Sequence, residues 1–278
     1  MNINYLGLDE FLLSALREDI GAGDVTTGCC VPDRAVSAGE FIAKEAGVIC
    51  GLGVVSRVYE LLGGDVEVTH FGSDGDYIHV GDIASEILGS SSVILTGERT
   101  ALNLMQYMSG IATRTAEAVR AVAGTKARIT DTRKILPGLR VLSKYAVRCG
   151  GGMNHRMGLS DGVLIKDNHI KAAGCIANAV SFARSSCPHT LKIEVEAESL
   201  DQVSEALAAN ADIIMLDNMP LERMGEAVKM IGGRALTEAS GNMGDRDLRA
   251  VAETGVDFIS IGALTHSVRA LDISLKFK

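Results

Sequence analysis

Short apolar runs, each ending in polar or charged residues, recur along the chain from about Lys126 onward. They are Ala127-Arg128-Ile129-Thr130, Gly162-Val163-Leu164-Ile165, Leu191-Lys192-Ile193-Glu194-Val195, Ile213-Ile214-Met215-Leu216, Ala235-Leu236-Thr237 and Phe258-Ile259-Ser260-Ile261. Each has the length of a strand, and most are followed by helix-like sequence. Between the third and fourth, Ser199 with Gln202 reads as a capping box, and Leu200, Val203, Ala206 and Leu207 share one helical face. Strand-helix alternation predicts a parallel sheet with helical crossovers. Six such units in roughly 140 residues exceed half of a doubly wound nucleotide fold, and neither G-x-G-x-x-G nor G-x-x-x-x-G-K-[ST] is present. The expected architecture is an α/β barrel of six or seven strands.

The first hundred residues have another pattern. Glycine-rich turns at Gly21-Ala22-Gly23-Asp24, Gly63-Gly64-Asp65 and Gly72-Ser73-Asp74-Gly75-Asp76 separate alternating segments such as Val66-Glu67-Val68-Thr69-His70-Phe71. That predicts an antiparallel sheet with a few helices. Glu98 to Ala123 reads as one or two helices interrupted near Ser109-Gly110, and the domain boundary is expected near residue 110.

Composition narrows the function. With 47% hydrophobic and 22% charged residues the chain has ample material for a core. No apolar run approaches the roughly 20 residues that span a bilayer. Met1 to Ile20 carries Asp9, Glu10, Glu18 and Asp19 where an export signal would be basic and then apolar, so a cytoplasmic protein is expected. The six cysteines form no C-x-x-C pair and no zinc spacing, which points to reduced thiols. A formal net charge of −8 argues against a general nucleic-acid surface.

Charge is distributed unevenly, however. The stretch from Thr130 to His169 holds Arg133, Lys134, Arg140, Lys144, Arg148, Arg156 and Lys166 against Asp131, Asp161 and Asp167, a local +4 that leaves −12 elsewhere. Cations at the ends of apolar runs or beside glycines more often face a bound anion than open water. Arg140, Lys144 and Arg148 are spaced four apart, as on a solvated helix face, and are set aside.

In a parallel barrel the reactive groups gather at the carboxyl ends of strands. The six ends collect Asp131, Arg133 and Lys134; Lys166, Asp167, Asn168 and His169; Glu194 and Glu196; Asp217 and Asn218; Glu238, Ser240, Gly241 and Asn242; and Gly262 and His266. The small turns Ala239-Ser240-Gly241-Asn242 and Ile261-Gly262-Ala263-Leu264 suit a phosphate. Glu196 and Asp217 suit Mg²⁺, while Arg133, Lys134, His155, Arg156 and Lys166 suit further negative charge, the arginines favouring planar carboxylates. A substrate set carrying phosphates and carboxylates follows. Blander roles compete at this stage: Gly150-Gly151-Gly152 as a flexible connection, Asp217 as a helix cap, Lys166 and Arg156 in a network with Asp161 or Asp167.

The segments Thr132-Arg133-Lys134-Ile135-Leu136-Pro137-Gly138-Leu139-Arg140, Lys144-Tyr145-Ala146-Val147, Gly150-Gly151-Gly152-Met153-Asn154-His155-Arg156-Met157-Gly158-Leu159 and Leu164-Ile165-Lys166-Asp167-Asn168-His169 resemble the quinolinate phosphoribosyltransferase family. The likeness runs nearly end to end. It also takes in Glu18-Asp19, Gly23-Asp24-Val25-Thr26-Thr27, Glu98-Arg99-Thr100-Ala101-Leu102-Asn103, Glu194-Val195-Glu196, Met215-Leu216-Asp217-Asn218, Glu238-Ala239-Ser240-Gly241 and Gly262-Ala263-Leu264-Thr265-His266-Ser267. Ile135-Leu136 departs from the Thr-Thr expected after Thr-Arg-Lys.

The resemblance implies an N-terminal α/β sandwich over residues 1–110, rejoined by the tail 267–278, and an incomplete α/β barrel over 111–266. It implies a homodimer, leaving hexamers open, in which Arg99 reaches the partner's active site. Quinolinate and phosphoribosyl pyrophosphate would be the substrates and Mg²⁺ the cofactor. Arg133, His155 and Arg156, with Thr132 beside them, would bind the quinolinate carboxylates, and Lys134 and Lys166 both substrates. Glu196 and Asp217 would take the ribose hydroxyls and magnesium. Ser240, Gly241 and Gly262 would take the 5′-phosphate, with Asn242 and His266 nearby. Three alternatives stand beside this: a sister transferase for another acid, a Schiff-base lyase using Lys166, and a non-catalytic sensor of phosphorylated ligands.

Overall fold

The computed structural model describes residues 7–278; residues 1–6 of the opening segment discussed above lie outside them. In chain order the elements are α1 (Leu8–Ile20), α2 (Val25–Cys30), β1 (Val36–Ala43), β2 (Gly47–Val48), α3 (Leu52–Leu62), β3 (Val66–His70), β4 (Tyr77–Ile78), β5 (Ile83–Ser90) and α4 (Ser91–Ala121). There follow β6 (Arg128–Thr130), α5 (Arg140–Cys149), β7 (Val163–Ile165), α6 (Asp167–Ala173), α7 (Ile176–Ser186), β8 (Ile193–Ala197), α8 (Leu200–Ala208) and β9 (Ile213–Asp217). The chain ends with α9 (Leu221–Ile231), β10 (Leu236–Ser240), α10 (Leu248–Glu253), β11 (Phe258–Ser260), α11 (Ala263–His266) and β12 (Ile273–Phe277). None of these helices is long and apolar enough to cross a membrane, and all six cysteines are free.

The chain divides into two compact units. The first comprises the chain up to Ala116, Pro137–Gly151 and Val268–Lys278. Its sheet has the order β12-β1-β5-β3 and is antiparallel throughout. The expected single division at residue 110 is therefore modified twice. The first unit keeps α4 as far as Ala116, and Pro137–Gly151, assigned to the barrel from sequence, packs with the first unit; the tail returns from Val268.

Helix α4 runs unbroken through Ser109-Gly110, where the glycine serves packing. A Cβ at Gly110 would lie 2.1 Å from the carbonyl oxygen of Arg269, so the missing side chain lets the returning tail cross the helix. Gly150 does the same job, with the Ala112 carbonyl oxygen 2.4 Å from where its Cβ would be. The Gly150-Gly151-Gly152 triplet thus begins as a packing contact. Lys144 is 1% exposed, in contrast to the solvated face expected of it, because residues 142–147 of α5 are all enclosed.

The second unit, Glu117–Leu136 with Gly152–Ser267, is a parallel six-stranded sheet in the order β6-β11-β10-β9-β8-β7. Strand side chains alternate between faces. Ile129, Ile165, Ile193, Val195, Ile214, Leu216, Ala239, Ile259 and Ile261 pack into the helical layer's core. That assigns the opposite set, Thr130, Glu194, Glu196, Met215, Asp217, Glu238, Ser240 and Ser260, to the inner face. Helix α8 starts as expected, Ser199 Oγ accepting from Gln202 N, although Gln202 Oε1 reaches back to the N–H of Glu198.

Two glycines should respond oppositely to alanine. Gly110→Ala is expected to destabilise the fold by about 1–3 kcal/mol through overpacking. Gly225→Ala, inside α9 with nothing within 4 Å of its Cβ position, should stabilise by roughly 0.5–1 kcal/mol through helix propensity. Denaturant melts of both variants check the pair of signs.

Candidate active site

The alternation that greases the outside of the barrel lines its inside with chemistry. At the carboxyl ends of the strands the inner positions are Lys166 after β7, Glu196 on β8, Asp217 on β9 and Ser240 on β10, with Gly262 two residues beyond β11. Asp217 and Ser240 are register partners. Lys166 Nζ donates to Glu196 Oε2 at 2.5 Å. Carboxylate oxygens of Glu196, Glu198 and Asp217 all lie within 4.8 Å of one another. Asn218 Nδ2 donates to Asp217 Oδ2 at 2.6 Å, so Asp217 is turned toward the mouth's acidic group and does not cap α9, whose N-cap is Pro220.

Small residues shape the adjoining turns. Asn218 and Asn242 hold left-handed backbone at φ 54° and 50°. Gly241 has φ 96°, and a Cβ there would fall 2.1 Å from Asn218 Oδ1. A Cβ at Gly262 would be 3.1 Å from both His266 Cδ2 and the Lys134 side chain. The Thr265 hydroxyl donates to the Lys134 carbonyl at 2.9 Å, and Lys134 N–H donates to Thr132 Oγ1 at 3.0 Å. Thr265, missed in the sequence, is thus what ties the Lys134 loop to the last turn. His266 Nδ1 lies 2.7 Å from Ser267 Oγ.

The barrel is open between β6 and β7, and the segment from Met153 to Arg156 occupies that side. Met153 forms a parallel bridge with Thr130, its N–H donating to the Ile129 carbonyl at 2.8 Å. Asp131, fully buried, accepts from His155 N–H at 2.9 Å and from Asn154 Nδ2 at 2.6 Å. Arg156 Nη1 donates to the Gly162 carbonyl at 3.0 Å, just before β7. Its Nε is buried without a hydrogen-bond partner among the described residues. Burial, and then the charge of Arg133, push the Arg156 guanidinium below its ordinary pKa. Two cations close enough to oppose each other, one partly desolvated, make a strong anion site.

His155 is the third residue expected at the substrate carboxylates. Its Nδ1 accepts the Arg156 backbone N–H at 2.7 Å, and its Nε2 lies 3.0 Å from Glu194 Oε2. Both ring nitrogens are engaged within the protein. Glu194 and Glu238, grouped with the strand ends from sequence, sit deeper than that, at 4% and 3% exposure. Burial, and then the charge of Glu194, push the Glu238 carboxyl up to about 8. Arg99 lies on α4 in the first unit, its side chain 60% exposed beside Glu98 at 4.0 Å.

The family models for the quinolinate phosphoribosyl transferase N-terminal and C-terminal domains match residues 24–109 and 111–276. The chain belongs to the quinolinate phosphoribosyltransferase family. It is 46% identical over 267 residues to nicotinate-nucleotide pyrophosphorylase (carboxylating) of Mycobacterium leprae, covering 94% of each chain. It is 45% identical to the chloroplastic enzyme of that name from Arabidopsis thaliana, over 94% of this chain and 80% of that one. Among solved structures, nicotinate-nucleotide pyrophosphorylase from Francisella tularensis superposes with a TM-score of 0.94 at 39% identity, covering 100% of this chain and 99% of that one. A phosphoribosyltransferase of this family is a pentosyltransferase, and the α/β barrel expected from the strand pattern is its fold.

Within one unit the structure therefore brings together Thr132, Arg133, Lys134, His155, Arg156, Lys166, Glu196, Asp217, Ser240, Gly241, Asn242, Gly262 and His266. Asp131 anchors the cationic segment among them. Asp131→Ala removes the acceptor of the His155 N–H and of the Asn154 amide and should cost about 1–3 kcal/mol of stability. Asp131→Asn, which keeps one acceptor, should fall between it and the parent in a urea titration.

Proposed function

We propose that this enzyme transfers the phosphoribosyl group of phosphoribosyl pyrophosphate to quinolinate with decarboxylation, giving nicotinate mononucleotide, pyrophosphate and CO₂ for NAD biosynthesis. It does so in the cytoplasm as a homodimer. The observation that carries this reading is the meeting of two opposing cations, Arg133 and Arg156, with the Lys166–Glu196 pair and Asp217 in one barrel. A dicarboxylate and a polyphosphate need that combination.

Arg133 and Arg156 take the quinolinate carboxylates, with His155 setting the peptide that orients Arg156. Lys134 and Lys166 contact both substrates. Ser240, Gly241 and Gly262 receive the 5′-phosphate, aided by Asn242 and His266, and Arg99 comes from the partner subunit. The gathered oxygens of Glu196, Glu198 and Asp217 are hard donors at a partly exposed mouth, which fits Mg²⁺. Magnesium, when bound, offsets the charge of the departing pyrophosphate.

The anomeric carbon gains oxocarbenium character as its bond to pyrophosphate breaks. Glu196 and Asp217 hold the ribose hydroxyls, and Lys134 and Lys166 stabilise the leaving charge, so no enzyme nucleophile is required. The pyridine nitrogen forms the new bond. Its positive charge then accepts the electron pair released as CO₂ leaves the adjacent carbon, which takes up a proton.

Purified protein with phosphoribosyl pyrophosphate and Mg²⁺ should turn over quinolinate and not nicotinate, releasing CO₂ and mononucleotide in equal amounts; inertness toward quinolinate overturns the reading. Arg156→Ala removes charge-assisted contacts of about 3 kcal/mol, or ~100-fold in kcat/KM for quinolinate, while phosphoribosyl pyrophosphate still binds. An unchanged quinolinate KM would contradict its role. Mixing inactive Arg99→Ala and Lys166→Ala subunits should restore activity, and no recovery would refute a shared site.

A further inference from the structure

Beneath the mouth, three titratable side chains meet inside the barrel. His155 Nε2 faces two carboxylates, Glu194 Oε2 at 3.0 Å and Glu238 Oε1 at 3.7 Å. The metal-capable atoms of these three residues lie within 4.8 Å of one another. Glu194 Oε1 and Glu238 Oε1 are both buried without a hydrogen-bond partner among the described residues. Two buried carboxylates this close cannot both be charged without a cation or a proton between them.

The choice between cation and proton follows from the ring. A backbone N–H always donates, so the Arg156 N–H at 2.7 Å makes His155 Nδ1 an acceptor. The neutral ring then carries its proton on Nε2, which turns an N–H, and no lone pair, toward the two glutamates. A metal ion needs that lone pair. The cluster is built for protons. Of the two carboxyls, Glu194 is nearer the N–H and is the acceptor, which leaves the added proton to Glu238.

We propose that Glu238 and Glu194 form a buried clamp, one carboxyl neutral and one charged, that locks the His155 ring in its Nε2–H form and thereby positions Arg156 for the acid substrate. The connection is short: His155 Nδ1 holds the Arg156 N–H, and Asp131 holds the His155 N–H. Glu238 touches no substrate in this scheme; it is a positioning residue. The link to substrate rests on the transferase reading above.

The groups facing Glu238 are consistent with a single added proton. Glu194 on β8 and Asp131 after β6 push the Glu238 carboxyl up, His155 and the Ser260 hydroxyl of β11 draw it down, and Arg156 stands beyond Glu194. Its register partners Met215 and Phe258 are uncharged. A cavity of about 580 Å³ opens below the cluster between the first residues of the strands, among them Lys192, Ile213 and Leu236, with Asp161 at its side. Protons can exchange with solvent through it although Glu238 is 3% exposed.

Ionisation of Glu238 sets a second anion against Glu194 and breaks the clamp. The quinolinate KM of the parent should therefore rise about tenfold from pH 7 to pH 9, as for one carboxyl titrating near pH 8, with the phosphoribosyl pyrophosphate KM unmoved. Glu238→Gln imitates the neutral carboxyl. It should match the parent near pH 7 and lack the alkaline rise, whereas Glu238→Ala raises the quinolinate KM at every pH. The folded-state pKa is raised, so the parent loses stability as pH climbs from about 4.5 through 8, and the melting temperature of Glu238→Gln should gain on the parent across that window.

Superimposable KM and melting profiles for parent and Glu238→Gln would overturn the clamp. So would zinc or manganese retained by the parent through chelator dialysis and lost in Glu238→Gln. Nitrogen-15 NMR of the histidines in the substrate-free protein reads the ring without any turnover: an Nε2–H form of His155 that changes near pH 8 in the parent alone supports the proposal, and an Nδ1–H form refutes it. Should quinolinate not be a substrate at all, that spectrum still decides the clamp, and only the transferase reading falls.

Discussion

The barrel's active arrangement depends on one buried carboxylate. Six parallel strands leave the sheet open between β6 and β7, and Asp131 at the end of β6 binds the segment lying along that edge through the His155 N–H and the Asn154 amide. Burying a charge is costly unless it is well hydrogen-bonded, and two short donors satisfy that condition. Because the donors are the backbone and side chain of adjacent residues, the same bonds that shelter Asp131 fix where Arg156 begins. The Arg156 guanidinium is thus oriented from behind, by a buried carboxylate.

Strand alternation carries this logic around the sheet. One set of positions supplies isoleucine, valine, leucine and alanine to the helical layer, and the other set is available for polar groups. Barrel interiors are commonly filled by branched apolar residues. Here the inner set includes Thr130, Glu194, Glu238 and Ser260, all buried. A polar interior demands partners for each group. The His155 ring meets part of that demand by joining Glu194 on one side and the Arg156 peptide on the other. The polar interior and the catalytic rim are therefore layers of one pattern, two residues apart along β8 and β10.

Much of this was legible in the residues alone. Apolar runs of strand length, each closed by charge, disclosed the parallel unit and the rim residues Lys166, Glu196, Asp217 and Ser240, because a two-residue period and a strand's end are both local features. Depth was not legible. Glu194 and Glu196 differ by one period, and no local signal says that one is 4% exposed while the other meets Lys166. Close approaches were equally hidden: Gly110 resembled a helix break because the segment that crosses it, at Arg269, comes more than 150 residues later. The Pro137–Gly151 excursion into the first unit escaped notice for the same reason, since the packing that claims it is non-local.

The electrostatics of the barrel are best understood as a balance between partly buried charges of both signs. Arg156 is pushed down by burial and by Arg133, and drawn up by Glu194 and Asp161. Glu238 is pushed up by burial and by Glu194. Were both buried glutamates charged, they would neutralise the arginines from within and weaken the attraction for a substrate anion. One proton on Glu238 withholds that neutralisation. It leaves enough negative charge below to hold the histidine and enough positive charge above to require a ligand. The same carboxyl that would be a liability in an ordinary core becomes, when neutral, the condition under which two neighbouring arginines keep their positive charge uncompensated from below.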